Sequence, residues 1–202
     1  MEILYSDKNN VVCVKPVGLE SEMELPVALK EQLGGLIFPI HRLDKNVGGI
    51  MVYARTKQAA ADLSKAVQEG TMVKEYVALV HGTPPENGDW EDLLWKDSRK
   101  NKVFVVKRQR AGVKKARLEF KRLSAGEASL VHVRLYTGRS HQIRVQFSSR
   151  GYPLVGERKY SLLEDGCNIA LWSHKIGLSH PVTKESMWFC QEPPEVYPWT
   201  VV

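Results

Sequence analysis

Between Met72 and Gly138 the sequence passes through five β-rich segments in direct succession, and this limits the fold more than any other feature. MVKEYVALVHG (72–82), DWEDLLW (89–95), VFVVKR (103–108), KARLEFKRL (115–123) and ASLVHVRLYTG (128–138) are separated by short turn-forming stretches. Strands joined without a crossover helix pair antiparallel, whereas a parallel βαβ arrangement needs a connection of a dozen or more residues each time. VVCV (11–14) and GIMVYA (49–54) add two more strands, and ALWSHKIGLSHPVTKESMWFC (170–190) reads as a hairpin around His180-Pro181. Three segments read as helices. LPVALKEQLGG has Pro26 in its first turn and Gly34-Gly35 as its stop. KQAAADLSKAVQEG has Thr56 as N-cap and Gly70 as terminator, and SHQIRVQFSSRG has Ser140 as N-cap and Gly151 just past its end. The expected fold is therefore α+β, with a mixed, largely antiparallel central sheet flanked by helices and loops. With no internal repeat, linker or low-complexity segment, the chain is expected to form one domain over 1–202, with room for two lobes.

Function classes are narrowed first by what is missing. No stretch reaches the ~20 apolar residues of a membrane helix, and the N-terminus MEILYSDKNN lacks the features of an export signal. Cys13, Cys167 and Cys190 are odd in number and far apart, without a CxxC pair, so neither a disulfide framework nor a structural zinc site is indicated and a reducing cytoplasm is expected. There is no HExxH, P-loop or GxSxG, and no helix-turn-helix or zinc-finger spacing of a DNA-binding regulator.

Charge points to an anionic partner. The net charge is +6, and nine of the 29 basic residues fall between Arg99 and Arg117, a stretch without any acid. Outside it the chain is net negative. A solvated hairpin accounts for many such runs; this one alternates with VFVV, as a ribbon with one basic face would. Lys107, Arg108 and Arg110 are its candidates for contact with a nucleic-acid backbone.

A second charged cluster, HRLD (41–44), lies between the apolar runs LIFPI and IMVYA. A lone Asp after His-Arg is more often a turn or salt-bridge residue than a nucleophile. Its neighbours alter that balance. HRLDKNVGGIMVYART (41–56) resembles the signature of the RluA-type pseudouridine synthases, and VVCVKPVGL (11–19) resembles that family's first motif. KEYVALVHG (74–82) is similar to its second, GRSHQIRVQFSSRGYPLVGERKY (138–160) to its third, and SHKIGLSHPVTKE (173–185) to its closing segment. The resemblance runs in order from about residue 11 to about residue 190.

The resemblance implies an isomerase that converts uridine in ribosomal or transfer RNA to pseudouridine. The N-glycosidic bond is cut, the uracil turns, and C5 is joined to the same sugar. Substrate and product are isomers, so no redox cofactor, metal or nucleotide is required. One carboxylate must act as nucleophile or base, and the resemblance assigns this to Asp44. It assigns Arg144 as the partner of Asp44, Tyr76 as the aromatic against the extruded uracil, and Arg42 as a residue facing RNA. Ile143, on the face it shares with Phe147, would pack near the base. His41, Lys15 and Pro16 read as motif scaffold, and Arg139 as either a phosphate ligand or a local salt bridge. A monomer is expected. The chain begins close to the first motif, leaving no room for the extra N-terminal RNA-binding domain of many relatives.

Two departures stand out. Val47-Gly48-Gly49 replaces the usual Thr-Ser-Gly, removing a hydroxyl and making the loop more permissive at Gly48. Gly156-Glu157-Arg158-Lys159-Tyr160-Ser161 replaces the usual Gly-Asp-x-x-Tyr-Gly. The competing reading is a non-catalytic RNA-binding relative with the same cleft, which the retention of Asp44, Tyr76 and Arg144 together opposes.

Overall fold

The computed structural model describes residues 1–201. Its contacts divide into two units, Met1–Lys74 with Trp172–Pro193, and Glu75–Leu171 with the segment from Pro194.

The first unit is built around β4 (Gly48–Ala54), all seven residues of which are buried. One edge of β4 pairs antiparallel with β2 (Asn10–Lys15), from Lys15↔Gly49 to Asn10↔Ala54. β1 (Ile3–Ser6), an element that the sequence pattern did not disclose, adds antiparallel to β2. The other edge is shared. β10 (Leu171–Ser179) pairs parallel with Gly48 and Gly49 through Trp172 and Ser173, which makes the sheet mixed. The two-residue β3 (Phe38–Pro39) pairs with Ala54 and Tyr53. Between them the backbone N–H of Val52 donates to His41 Nε2 at 3.1 Å, so an imidazole takes a place in the ladder. β11 (Ser186–Cys190) completes the expected hairpin with β10.

The helices of this unit follow their punctuation. α1 (Glu24–Leu33) ends at Gly34 with φ 68°. α2 (Lys57–Glu69) starts where Thr56 Oγ1 accepts from Ala59 N at 3.1 Å and stops at left-handed Gly70. Its buried Ala59 and Leu63 meet Val12, Ile50, Val52, Ile176 and Leu178 in the core.

The second unit's strands lie in the order β5-β9-β8-β6-β7, antiparallel from β9 through β8 and β6 to β7, with β5 Val73–His81, β6 Asn87–Asp97, β7 Lys102–Val106, β8 Val113–Arg122 and β9 Ala128–Leu135. β7 and β8 do not form a hairpin with each other: both pair with β6, which lies between them. α3 is shorter than the sequence pattern predicts, Gln142–Ser148, and Ser140 does not cap it. His141 occupies the N-cap with φ 51°, and the Gln142 amide oxygen ties the approach by accepting from Thr137 Oγ1 at 2.7 Å and Arg139 N at 3.1 Å. Phe147 anchors α3 in an aromatic cluster, its ring centroid 4.7 Å from that of Trp90 and 5.1 Å from that of Phe120. Its role is therefore core packing, although sequence reasoning set it beside Ile143 at the base.

Gly48 and Gly49 have a different purpose from loop flexibility. They are strand residues, and Val47 before them is buried. A Cβ on Gly48 would sit 2.3 Å from the Trp172 ring, and one on Gly49 would sit 2.3 Å from the Ser173 carbonyl oxygen. Gly49 also has φ +114°, a conformation that side chains rarely adopt. Gly49→Ala is therefore expected to cost about 3 kcal/mol from backbone clash and strain together. Urea unfolding measures it, and a loss below about 1 kcal/mol would contradict this packing account.

Candidate active site

Asp44 lies in the loop between β3 and β4, half-buried, with restraints on both sides. Upstream, Leu43 N donates to Ser21 Oγ at 3.2 Å, and Ser21 Oγ donates to the Leu43 carbonyl at 2.9 Å. Ser21 is itself held by the Tyr53 hydroxyl, which donates to its carbonyl at 2.6 Å from the buried strand β4. Burial raises the Tyr53 phenol pKa, keeping this donor protonated. Downstream, Val47 N donates to the Asp44 carbonyl at 2.9 Å and Gly18 N to the Lys45 carbonyl at 2.9 Å.

The same Lys45 carbonyl accepts from Lys15 Nζ at 3.0 Å. Lys15 is fully buried at the end of β2, and its ammonium also donates to the carbonyls of Leu19 at 2.7 Å and Pro16 at 2.9 Å. Three donors meet three acceptors, which is the full capacity of an ammonium group. Burial pulls the Lys15 pKa down to about 8, against the opposing pull of the Asp44 and Glu24 charges. His41 is held neutral: burial, with the Lys74 charge adding to it, depresses its pKa to about 3. It is a ladder residue, in keeping with its expected scaffold role. Arg42 points outward, half exposed, 3.5 Å from Glu22. An exposed pair at that distance contributes little to stability.

In the second unit the central group is Arg144 on α3. Its Nε donates to Glu157 Oε2 at 2.7 Å and its Nη2 to Glu157 Oε1 at 2.9 Å. The Glu157 side chain is 0% exposed and Arg144's is 13%, so the ion pair is well removed from water. Glu157 Oε1 also accepts from Lys159 N at 2.7 Å and Tyr160 N at 3.3 Å. Burial opposes its ionisation, yet the Arg144 hydrogen bonds and charge and these two amides outweigh it, holding the carboxyl below its ordinary pKa. The Arg144 guanidinium carbon lies 5.6 Å from the centroid of Tyr160, whose hydroxyl is 2.7 Å from His141 Nδ1 and accepts from Val103 N at 2.8 Å. Glu157 was not singled out as functional by sequence reasoning. The signal was present as the acidic residue after Gly156, 13 residues beyond Arg144.

Tyr76 is on β5 and 5% exposed, and Ile143 is 3% exposed beside Arg144. Arg139 donates from Nε to the Lys115 backbone carbonyl at 2.8 Å, a hydrogen bond to the main chain of β8. Lys107, Arg108 and Arg110 are all exposed in the connection between β7 and β8. Arg110 lies over the Trp95 ring at 4.9 Å. Elsewhere in the basic run charge is partly neutralised, Arg117 by Asp89 and Glu119, and Lys115 by Glu91 at 3.8 Å.

Comparisons with known proteins place the sequence and the fold. Residues 3–149 fit the family model described as RNA pseudouridylate synthase. The dual-specificity RNA pseudouridine synthase RluA of Salmonella typhimurium is 32% identical, over 93% of this chain and 90% of its own. The mitochondrial tRNA pseudouridine(32) synthase of Saccharomyces cerevisiae is 31% identical over 87% of this chain, which spans 37% of that longer protein. The solved structure of human RNA pseudouridylate synthase domain containing 4 superposes with a TM-score of 0.80 at 25% identity, covering 96% of this chain and 88% of that one. With the family model matching residues 3–149 and a relative 32% identical over nearly its whole length, the chain belongs to the RNA pseudouridylate synthase family of RNA uridine isomerases.

Proposed function

We propose that this isomerase converts specific uridines of ribosomal or transfer RNA, with Asp44 as the reacting carboxylate. The observation that carries the reading is the restraint on the Asp44 loop, where buried hydrogen bonds fix the backbone on both sides of the carboxylate. A nucleophile or base held in this way loses little orientational freedom when substrate arrives. Tyr76 lies against the uracil, Ile143 packs beside it, and Arg144 provides the positive charge that Asp44 and the base require. Arg42 faces the RNA. Its weak, exposed pairing with Glu22 leaves it ready to exchange partners. Catalysis occurs in the cytoplasm and in a monomer. Among the described residues no helix is long and apolar enough to cross a membrane.

Asp44→Asn retains shape and removes the charge. RNA binding is expected to survive and pseudouridine formation to vanish, as measured by pseudouridine mapping of RNA treated with each variant. A parent protein that binds RNA and forms no pseudouridine would favour a binding-only relative.

Glu157→Gln should weaken the fold by about 3–5 kcal/mol at neutral pH, because it removes one charge of a buried, doubly hydrogen-bonded ion pair. Since the folded-state pKa of Glu157 is lowered, its stabilisation is full above the ordinary carboxylate pKa and fades as pH falls. The gap between parent and variant in urea should therefore narrow on acidification, and a gap independent of pH would count against the ion pair. Glu157→Asp should restore part of both stability and turnover. If Arg144 and Asp44 serve one uridine, a double-mutant cycle of Asp44→Ala and Arg144→Met on RNA affinity will be non-additive.

Lys107, Arg108 and Arg110 hold the RNA backbone away from the chemistry. Replacing all three by Gln should flatten the dependence of log K on log salt by roughly 2, from about 0.7 per single-strand phosphate contact. Affinity should drop alike for specific and unrelated RNA, with little change in turnover at saturation. Fluorescence titration across a salt series provides the test, and an unchanged slope would mark the segment as solvated surface.

A further inference from the structure

We propose that His174, Cys190 and Glu192 form a binding site for a zinc-like divalent cation, at the end of the β10–β11 hairpin where the last strand pair is Lys175↔Cys190. The site shares no residue with those assigned to uridine chemistry. The Cys190 sulfur lies 3.4 Å from His174 Nε2 and 3.9 Å from Nδ1, and Glu192 Oε2 is 3.6 Å from the same Nδ1. One atom from each residue can be chosen so that all three lie within 4.8 Å of one another.

Those separations suit one metal. Zinc binds imidazole nitrogen at ~2.0 Å and thiolate at ~2.3 Å, which sets the two ligands about 3.5 Å apart at a tetrahedral angle, and nitrogen and carboxylate about 3.3 Å apart. His174 Nδ1 lies 3.2 Å from the Gln191 carbonyl oxygen, which can only accept, so Nδ1 carries the ring proton and Nε2, 3.4 Å from the sulfur, is the nitrogen left to bind the metal. Glu192, with 77% of its side chain exposed, is free to turn inward and close the remaining gap. The ligand backbone is already held: Gln191 N donates to the His174 carbonyl at 2.8 Å, and Trp172 Nε1 donates to the Gln191 carbonyl at 2.9 Å. The nearby Lys175 ammonium lies over the Trp188 ring, 5.0 Å from its centroid.

A thiolate, an imidazole and one carboxylate favour zinc over magnesium or calcium, which prefer all-oxygen shells. Three protein ligands leave the fourth position to water, so the site is open. On binding, the sulfur–metal bond replaces the Cys190 S–H bond and that proton goes to solvent, while neutral His174 and ionised Glu192 donate lone pairs. Affinity should accordingly fall as pH is lowered. No zinc-ligand signature is visible in the sequence because strand pairing, not local spacing, brings residue 174 to residues 190–192.

The test uses the full chain with zinc and cobalt chloride. Calorimetry should show one zinc per chain with proton release, and cobalt should give a near-ultraviolet thiolate charge-transfer band with tetrahedral visible bands. Cys190→Ser and His174→Gln should each weaken zinc binding by about tenfold or more, since even outer-sphere partners of a metal ligand are worth about that much. Circular dichroism checks that both variants fold. If either is misfolded, Glu192→Gln, altering a mostly exposed residue, should weaken binding in its place. No cobalt–thiolate band, or zinc affinity unchanged in the folded variants, would overturn the proposal.

Discussion

A buried ammonium group organises the first unit. Lys15 carries a charge into a place without water, and the three carbonyls it satisfies come from Pro16, Leu19 and Lys45. The first two belong to its own turn. The third belongs to the loop of Asp44, 30 residues further on. An unpaired charge at this depth would be prohibitive, so the two segments must adopt their positions together. The ammonium is therefore both a packing element and a positive charge that interacts with the Asp44 carboxylate. A methionine of similar length would fill the volume and take one donor from each of three carbonyls, leaving the Lys45 carbonyl with Gly18 N alone.

Much of the architecture was legible because local chemistry and tertiary packing agreed. Thr56 and Gly70 bound α2 as expected, and the strand succession from residue 87 became an antiparallel sheet. The misreadings occurred where a long-range partner decided the outcome. Ser140 was a sound N-cap by type, but the amide of Gln142 had already tied down the turn through Thr137 and Arg139. Gly48 appeared to be a loosened loop residue and is instead the floor beneath Trp172, more than a hundred residues away. β3 is two residues long and β1 only four, too short for a periodic signal.

The candidate site divides along the same line. Asp44, Tyr76 and Arg144 stood out through motif resemblance, since composition alone would have made them a turn residue, a core tyrosine and a surface arginine. Glu157 was noticed as a departure from the family pattern, whereas its role came from geometry. Arg144 pairs with Glu157, and the amides of Lys159 and Tyr160 fold back on the same carboxylate. Such a network is invisible to spacing, because the turn at residues 156–160 creates it.

β7 is the outermost strand of the second unit's sheet, and although the Tyr160 hydroxyl already covers Val103 N, an outermost strand offers backbone groups to any chain that can lie alongside. The strand is short, begins with Lys102 and runs directly into Lys107 and Arg108. Two copies approaching edge to edge would bring these cations together, and the repulsion would oppose accretion of one sheet upon another. The residues suited to draw in a polyanion thus also guard against aggregation, and neutralising them for the sake of weaker RNA binding would unmask an adhesive edge.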